Sequence, residues 1–384
     1  MSIGKHYDVA VIGAGVFGAW TSWHLTKRGQ RVLLVEGYGP AHSRASSGGE
    51  TRIIRMGYGA DEIYTRWSQR SLIQWKELFA SAQQPLFHRT GVLWLAGKDA
   101  RRLEETAATL RRCGIRFDEL DLVALGQRYP QIHFSGVTRG LFEPGSGVLL
   151  ARRAVAAVVE EAIRLGCEYM VAHVNSPHAS KKLTDIETGS GEKIEAEQFV
   201  FACGPWLGKL FPELLGVRVF PTRQEIFFFG VPAGDAAFSP TLMPTFLFQQ
   251  DEVYGMPDIE SRGLKIACDK HGGKADPDTM SRIVCEQSAK EMRAYVAHRF
   301  PRLKDAPIVE TRVCQYENTS SGDFLIDRHP ETENVWLVGG GSGHGFKHGP
   351  AVGKYVAAQI LDGTAVEPRF QLAAKETVQR RAIY

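Results

Sequence analysis

The sequence predicts an α/β fold combined with an α+β one: a nucleotide-type unit that is interrupted by a second, sheet-based domain and then resumed. Three observations predict it. A strand, glycine turn and helix open the chain at Tyr7-Asp8-Val9-Ala10-Val11-Ile12 and Gly13-Ala14-Gly15-Val16-Phe17-Gly18. A second such unit, Val335-Trp336-Leu337-Val338 followed by Gly339-Gly340-Gly341-Ser342-Gly343, lies near the other end. Between about residues 217 and 309 the texture changes to aromatic, β-rich runs such as Ile226-Phe227-Phe228-Phe229.

Local pattern justifies each element in turn. After the opening turn an amphipathic helix runs to about Arg28, and Gly29 stands where a helix-ending glycine belongs. Arg31-Val32-Leu33-Leu34-Val35 then reads as a buried strand ending at Glu36, which completes a βαβ unit. Residues 61–82 carry Ile63, Trp67, Trp75 and Phe79 at near-helical spacing and are expected on the core, whereas residues 99–112 form a charged helix expected on the surface. Residues 151–165 set Val155, Val158, Val159, Ala162 and Ile163 on one helical face, ahead of a glycine and the strand-like Tyr169-Met170-Val171-Ala172. A long helix is expected after Pro277 and an apolar one from about Val352. There is no internal repeat and no low-complexity linker.

Composition narrows the function classes. With 384 residues, 43% of them apolar, the chain has room for two or three domains. Its 46 basic residues against 43 acidic ones give +3, too even for a nucleic-acid footprint or a polybasic membrane arm. No apolar run is long enough to span a membrane and no secretory signal opens the chain, so a cytoplasmic protein is expected. Six cysteines without a CxxC pair are expected as reduced thiols, and no metal site is expected.

The opening turn carries chemistry. Gly13 permits the tight turn, Gly15 lets backbone approach a diphosphate, and Gly18 lets helix pack on strand. The helix N-terminus adds unpaired amides and a positive dipole end. Glu36, eighteen residues past Gly18, is placed to accept from both ribose hydroxyls. This Rossmann-like fingerprint points to a dinucleotide and leaves FAD and NAD open. Its position at one end of the chain, with a second glycine turn at the other, suits FAD. The stretch Phe199-Val200-Phe201-Ala202-Cys203-Gly204-Pro205-Trp206 adds a third approach of strand to glycine.

Further stretches carry a resemblance: Gly49-Glu50-Thr51-Arg52-Ile53-Ile54-Arg55, Gly263-Leu264-Lys265 with Ala275-Asp276-Pro277-Asp278-Thr279, Val313-Cys314-Gln315-Tyr316, Phe324-Leu325-Ile326-Asp327 and Ser342-Gly343-His344-Gly345-Phe346-Lys347. In this order, over essentially the whole chain, they resemble the monomeric sarcosine oxidase and N-methyltryptophan oxidase family of flavin amine oxidases. The resemblance implies a Rossmann-like FAD-binding domain (1–86, 150–217 and 318–384) with an inserted antiparallel-sheet substrate domain (87–149 and 218–317). It implies FAD attached covalently through Cys314. It implies oxidation of a secondary or cyclic amine bearing a carboxylate, by hydride transfer to flavin N5 and reoxidation by O2 to peroxide. The implied partners are a small amine and O2, and the implied state is a monomer.

Site residues follow from the same matches. The resemblance sets Lys265 beside flavin N5 as a cation that stabilises charge developing on oxygen. It assigns Arg55 and Lys347 to the substrate carboxylate, and Tyr254 and Tyr316 to the pocket walls. Thr51 and Arg52 match flavin-side positions, and Ser46, Val174, Cys203, Gly204, Trp206, Gly343, Gly345, Phe346 and Lys347 match cofactor-binding ones. The chain also departs from the family. Ser46-Ser47-Gly48-Gly49 stands where the relatives carry a histidine pair, Asp269 replaces a pocket histidine, and His348 replaces an aromatic residue after Lys347. An acid at 269 suits a substrate with an extra cation or hydroxyls if it lines the pocket; the residues leave open whether it faces solvent instead. Rival readings are a flavin dehydrogenase with another electron acceptor, a nicotinamide enzyme, and a non-catalytic flavin-binding protein.

Overall fold

The computed structural model describes residues 6–178 and 180–380. A seven-stranded sheet holds the nucleotide-type unit, and its centre is parallel: strand Lys193–Phe201 pairs with His6–Ile12, which pairs with Val32–Glu36, which pairs with Glu168–Val171. Val335–Gly339 joins the other side of Lys193–Phe201, also in parallel, and Leu325–Arg328 and Asp185–Glu187 add antiparallel edges. The continuous apolar runs follow from this topology, because helices cover a parallel sheet and bury its strands on both faces.

The two ends of the chain meet by helix packing. Helix Val16–Lys27 lies along helix Gly349–Asp362, and a Cβ at Gly353 would sit 2.5 Å from the Trp20 backbone. Only glycine permits that approach. It brings the opening and closing glycine turns side by side.

The second large sheet has eight strands. Ile308–Asn318, Phe220–Phe229, Leu264–Cys268, Val253–Met256 and Thr245–Phe248 run antiparallel in that spatial order, followed by Val92–Ala96, Arg139–Glu143 and Asp118–Leu120. The pairing of Thr245–Phe248 with Val92–Ala96 is parallel, so the sheet expected as antiparallel is mixed at one seam. Two separate excursions of the chain meet there, and no hairpin dictates an antiparallel return. A third, small sheet of Arg52–Ile54, Gly147–Leu149 and Phe87–His88 lies beside the two.

Helix Arg101–Arg112 lies on the surface as expected, with Arg101, Glu104, Glu105, Arg111 and Arg112 exposed, and it has a fuller inward face than its few apolar residues suggest. Leu103, Thr106, Ala107, Thr109 and Leu110 are buried, and the Thr106 hydroxyl accepts the Gly59 amide at 3.0 Å. Threonines supply part of its inward face, so counting apolar residues understated it. The helix expected after Pro277 begins at Glu286 and ends at Arg299. Among the described residues, no helix is long and apolar enough to cross a membrane, all six cysteines are free, and no cluster of three or more ligating side chains could hold a metal.

Candidate active site

The opening fingerprint is packed as its spacing demands. Gly13 has φ +102°, and a Cβ there would lie 2.4 Å from the Ala202 carbonyl oxygen; a Cβ on Gly18 would lie 1.8 Å from the Gly13 oxygen. Gly18 therefore packs helix on strand and stands back from the cavity, while Gly15 faces it. Glu36 accepts from the Ala14 amide at 2.7 Å and the Tyr38 amide at 3.2 Å. Each of its oxygens keeps a further lone pair for a ligand.

These groups line a groove of about 490 Å³ between the terminal glycine turns, within the range of small-molecule and cofactor sites. Ser46, Val174, Cys203, Gly204, Trp206, Gly343, Gly345 and Phe346 line it too. Cys203 donates its thiol to the Ile12 carbonyl at 3.3 Å, and burial pushes that thiol well up, so it is an inert group. Trp206 donates from Nε1 to Asp278 at 2.7 Å, and Asp278 and Asp276 both pair with Lys209 at the groove's rim. Ser46 Oγ, Gln315 Oε1 and Glu317 Oε1 are buried along its wall without a hydrogen-bond partner. A groove with a carboxylate at one end and orphaned polar atoms along its wall fits a hydroxylated dinucleotide.

A smaller cavity of about 60 Å³ adjoins it, sharing Arg52, Tyr316, Gly343 and Phe346 as common walls. Arg52 stands at the junction. Its guanidinium donates to the Thr51 carbonyl at 2.8 Å and the Ser46 carbonyl at 2.6 Å, and lies 3.4 Å from Cys314 Sγ. Cys314 is half-buried on the strand paired with Phe220–Phe229, and its sulfur faces a fixed positive charge.

Besides Arg52, three buried cations line the small cavity: Lys265, Arg55 and Lys347, only 3%, 5% and 4% exposed. Lys265 Nζ donates to the Thr51 carbonyl at 2.9 Å and the Thr51 hydroxyl at 3.0 Å. Burial first, and then the neighbouring Arg52, push its proton affinity well below the ordinary lysine value. Lys265 is thus a buried strand lysine and not a solvent-facing one. Thr51 itself lines neither cavity; it acts by gripping Lys265. Arg55 donates to the Gly57 carbonyl, and its guanidinium packs 4.4 Å from the Tyr58 ring centre and 4.7 Å from that of Trp94. Lys347 Nζ donates to the Tyr58 hydroxyl and the His344 carbonyl, both at 2.8 Å, and belongs to the small cavity alone.

Asp269 is half-buried and lines the small cavity, with the Tyr316 hydroxyl donating to it at 3.4 Å. Burial, followed by the Asp269 charge, pushes the Tyr254 phenol up to about 12, and burial pushes Tyr316 well up. Both tyrosines are neutral walls at physiological pH.

The sequence reading missed the support of this pocket. Glu143, 1% exposed, accepts from the Met56 amide (2.7 Å), the Gly57 amide (2.9 Å), Trp94 Nε1 (2.7 Å) and Ser146 Oγ (2.6 Å). It clamps the turn that aims Arg55. Tyr58 links that turn to the closing one through His348 Nε2 at 2.7 Å and Lys347. Burial, then Lys347 and Arg55, keep His348 well below the usual histidine range, so it is neutral. Only the Glu143-Pro144-Gly145-Ser146 turn gives a local hint in the sequence, a carboxylate reached by a serine three residues on.

A dinucleotide groove opening on a cation-lined pocket defines a flavin-binding oxidoreductase. The chain belongs to the DAO family of FAD dependent oxidoreductases, whose pattern matches residues 8–359. It is 32% identical over 366 residues to a monomeric sarcosine oxidase of Bacillus sp. (strain B-0618), covering 93% of each chain. It is 32% identical over 380 residues to the N-methyl-L-tryptophan oxidase of Salmonella arizonae (strain ATCC BAA-731 / CDC346-86 / RSK2980), covering 95% of this chain and 97% of that one. Its fold is similar to that of L-proline dehydrogenase from P. horikoshii, with a TM-score of 0.84 at 21% identity over 96% of this chain and 98% of that one.

Proposed function

We propose that this FAD-dependent oxidoreductase is an oxidase of a small secondary or cyclic amine bearing a carboxylate, a sarcosine-like N-alkyl amino acid. The observation that carries the reading is the placement of Arg55, Lys265 and Lys347, three buried cations, around one cavity that shares walls with the cofactor groove. When bound, FAD supplies the acceptor for the hydrogen on the carbon next to nitrogen and passes the electrons to oxygen.

The chain's own residues do the rest. Arg55 and Lys347 hold the carboxylate in a pocket where water does not screen them. Ile53, Ile226, Leu247 and Met256 form apolar walls that exclude water, and Asp269 faces the same cavity as a site for a hydroxyl or second amino group of the substrate. Tyr254 and Tyr316 keep their protons near neutral pH, so neither removes the amine's proton. The amine is bound neutral, and its oxidation speeds up as pH rises.

The reading includes covalent attachment of FAD through Cys314, supported by a sulfur that lines the small cavity with the guanidinium of Arg52, a wall shared with the groove, beside it. Acid precipitation checks it: yellow colour is expected to stay with the wild-type polypeptide and to leave the Cys314→Ser variant. The reading also includes a monomer, because one chain supplies both cavities. The domain division at 1–86, 150–217 and 318–384 against 87–149 and 218–317 is part of it. The seven-stranded sheet draws every strand from the first set, and the eight-stranded sheet draws its strands from the second, overrunning by Asn318. The function itself is tested by anaerobic mixing with N-methyl and cyclic amino acids, which are expected to bleach the flavin.

A further inference from the structure

Glu317 is a charged residue type in a place that does not suit a charge. It sits on strand Ile308–Asn318, one residue beyond Tyr316, and its side chain goes to the groove side, away from the small cavity. It is 6% exposed, and Oε1 has no hydrogen-bond partner. That oxygen is wedged against the backbone of the closing turn, since a Cβ on Gly339 would lie 2.4 Å from it and 2.9 Å from Leu207. The Ser342 amide donates to the Glu317 carbonyl at 2.8 Å and locks the backbone in place. The amides of Gly340 and Gly341 point toward the carboxyl.

Among the described residues, no cation shifts its carboxyl. The titratable group that faces this corner is the Cys203 thiol, from the turn before Gly204–Trp206; burial, then Glu36 and Glu317, push it well up, so it is neutral and brings no compensating charge. Lys209 at the rim is already paired with Asp276 and Asp278. A diphosphate entering the groove adds further negative charge. A carboxylate in this corner would oppose the cofactor, whereas a carboxylic acid would offer it a donor.

We propose that Glu317 is a cofactor-holding residue that works as a neutral acid, donating its carboxyl proton to an acceptor oxygen in the ribityl–diphosphate stretch of FAD. The inference uses the FAD assignment alone and is independent of which amine is oxidised. Burial pushes the Glu317 carboxyl up to about 8, against the pull of the two glycine amides. The sign follows: a raised carboxyl keeps its donor below that value and loses it as pH rises through it.

The test uses holoprotein of the Cys314→Ser variant, in which FAD is free to leave, and reads its dissociation constant from flavin fluorescence on dilution between pH 6.5 and 9.5. With Glu317 intact, the constant is expected to rise about tenfold for each pH unit above about 8. With Glu317→Gln added, whose amide donates at every pH, the curve is expected to be flat. Glu317→Leu removes the donor without adding charge, and is expected to bind FAD more weakly with an equally flat curve. ADP as a second probe assigns the acceptor: the same rise with ADP places it on the diphosphate, a rise with FAD alone on the ribityl chain. Curves that coincide for Glu317 and Glu317→Gln would overturn the proposal, and so would tighter FAD binding above pH 8.

Discussion

Replacing Lys265 by methionine is expected to slow the reaction of the reduced enzyme with oxygen by about a hundredfold to a thousandfold, the usual cost of removing one preorganised electrostatic group. Reduction by the amine is expected to change only a few-fold. Position and burial set the size of the effect. Lys265 is fixed by two bonds to Thr51 and faces the small cavity, where a positive charge acts in a low dielectric on charge that develops as oxygen takes electrons. Methionine matches the stem in length and leaves no large void. A pH signature accompanies the effect. Burial and Arg52 lower the proton affinity of Lys265, so its charge is present below that depressed value and lost as pH rises through it. Oxygen reactivity in the wild type should therefore fall at a pH below the ordinary lysine range of about 10.4, while the methionine variant loses that limb. Stopped-flow mixing of reduced enzyme with oxygen reads both. Unchanged oxygen reactivity in Lys265→Met removes this role.

The second large effect is expected at the carboxylate clamp. Arg55→Lys and Lys347→Met should each lower kcat/KM for a carboxylated amine by about a hundredfold, within the range for truncating one partner of a buried charge pair. Arg55→Lys keeps the charge but loses the planar fork and its packing on Tyr58 and Trp94. The informative comparison is with the same amine lacking its carboxylate. Both variants are expected to handle that compound as the wild type does, so discrimination collapses while basal chemistry remains. A parallel loss on both compounds would show that these cations support the fold of the pocket and do not read the substrate.

How much of this was legible in the sequence depended on how local the determinants are. The opening βαβ unit is written in one short stretch, because a strand, three glycines and a carboxylate eighteen residues beyond the last of them must all be present within one strand–helix–strand unit. Lys265, Arg55 and Lys347 came from motif matches, and their burial in one cavity required three separate regions of the chain to meet. Glu143 and the Tyr58–His348 contact were illegible for a simple reason: the partners are separated by up to 290 positions, and neither residue type is unusual where it stands. Glu317 was overlooked because an acidic residue in a strand is ordinarily a solvated one. Its surroundings come from the glycine turn that follows strand Val335–Gly339. The surface position of helix Arg101–Arg112 was legible from its charges, whereas its inward face was not, because Thr106 and Thr109 do not register as apolar.

Anaerobic mixing of the purified yellow protein with a panel of N-methyl, cyclic and hydroxyl- or amino-bearing amino acids tests the central claim most directly. The account predicts that a small carboxylated amine removes the visible flavin absorbance at a rate that rises with pH, and that admitting oxygen restores the colour with one peroxide formed per amine consumed. A protein that holds FAD yet keeps its full absorbance against every such amine, across the same pH range, would contradict it.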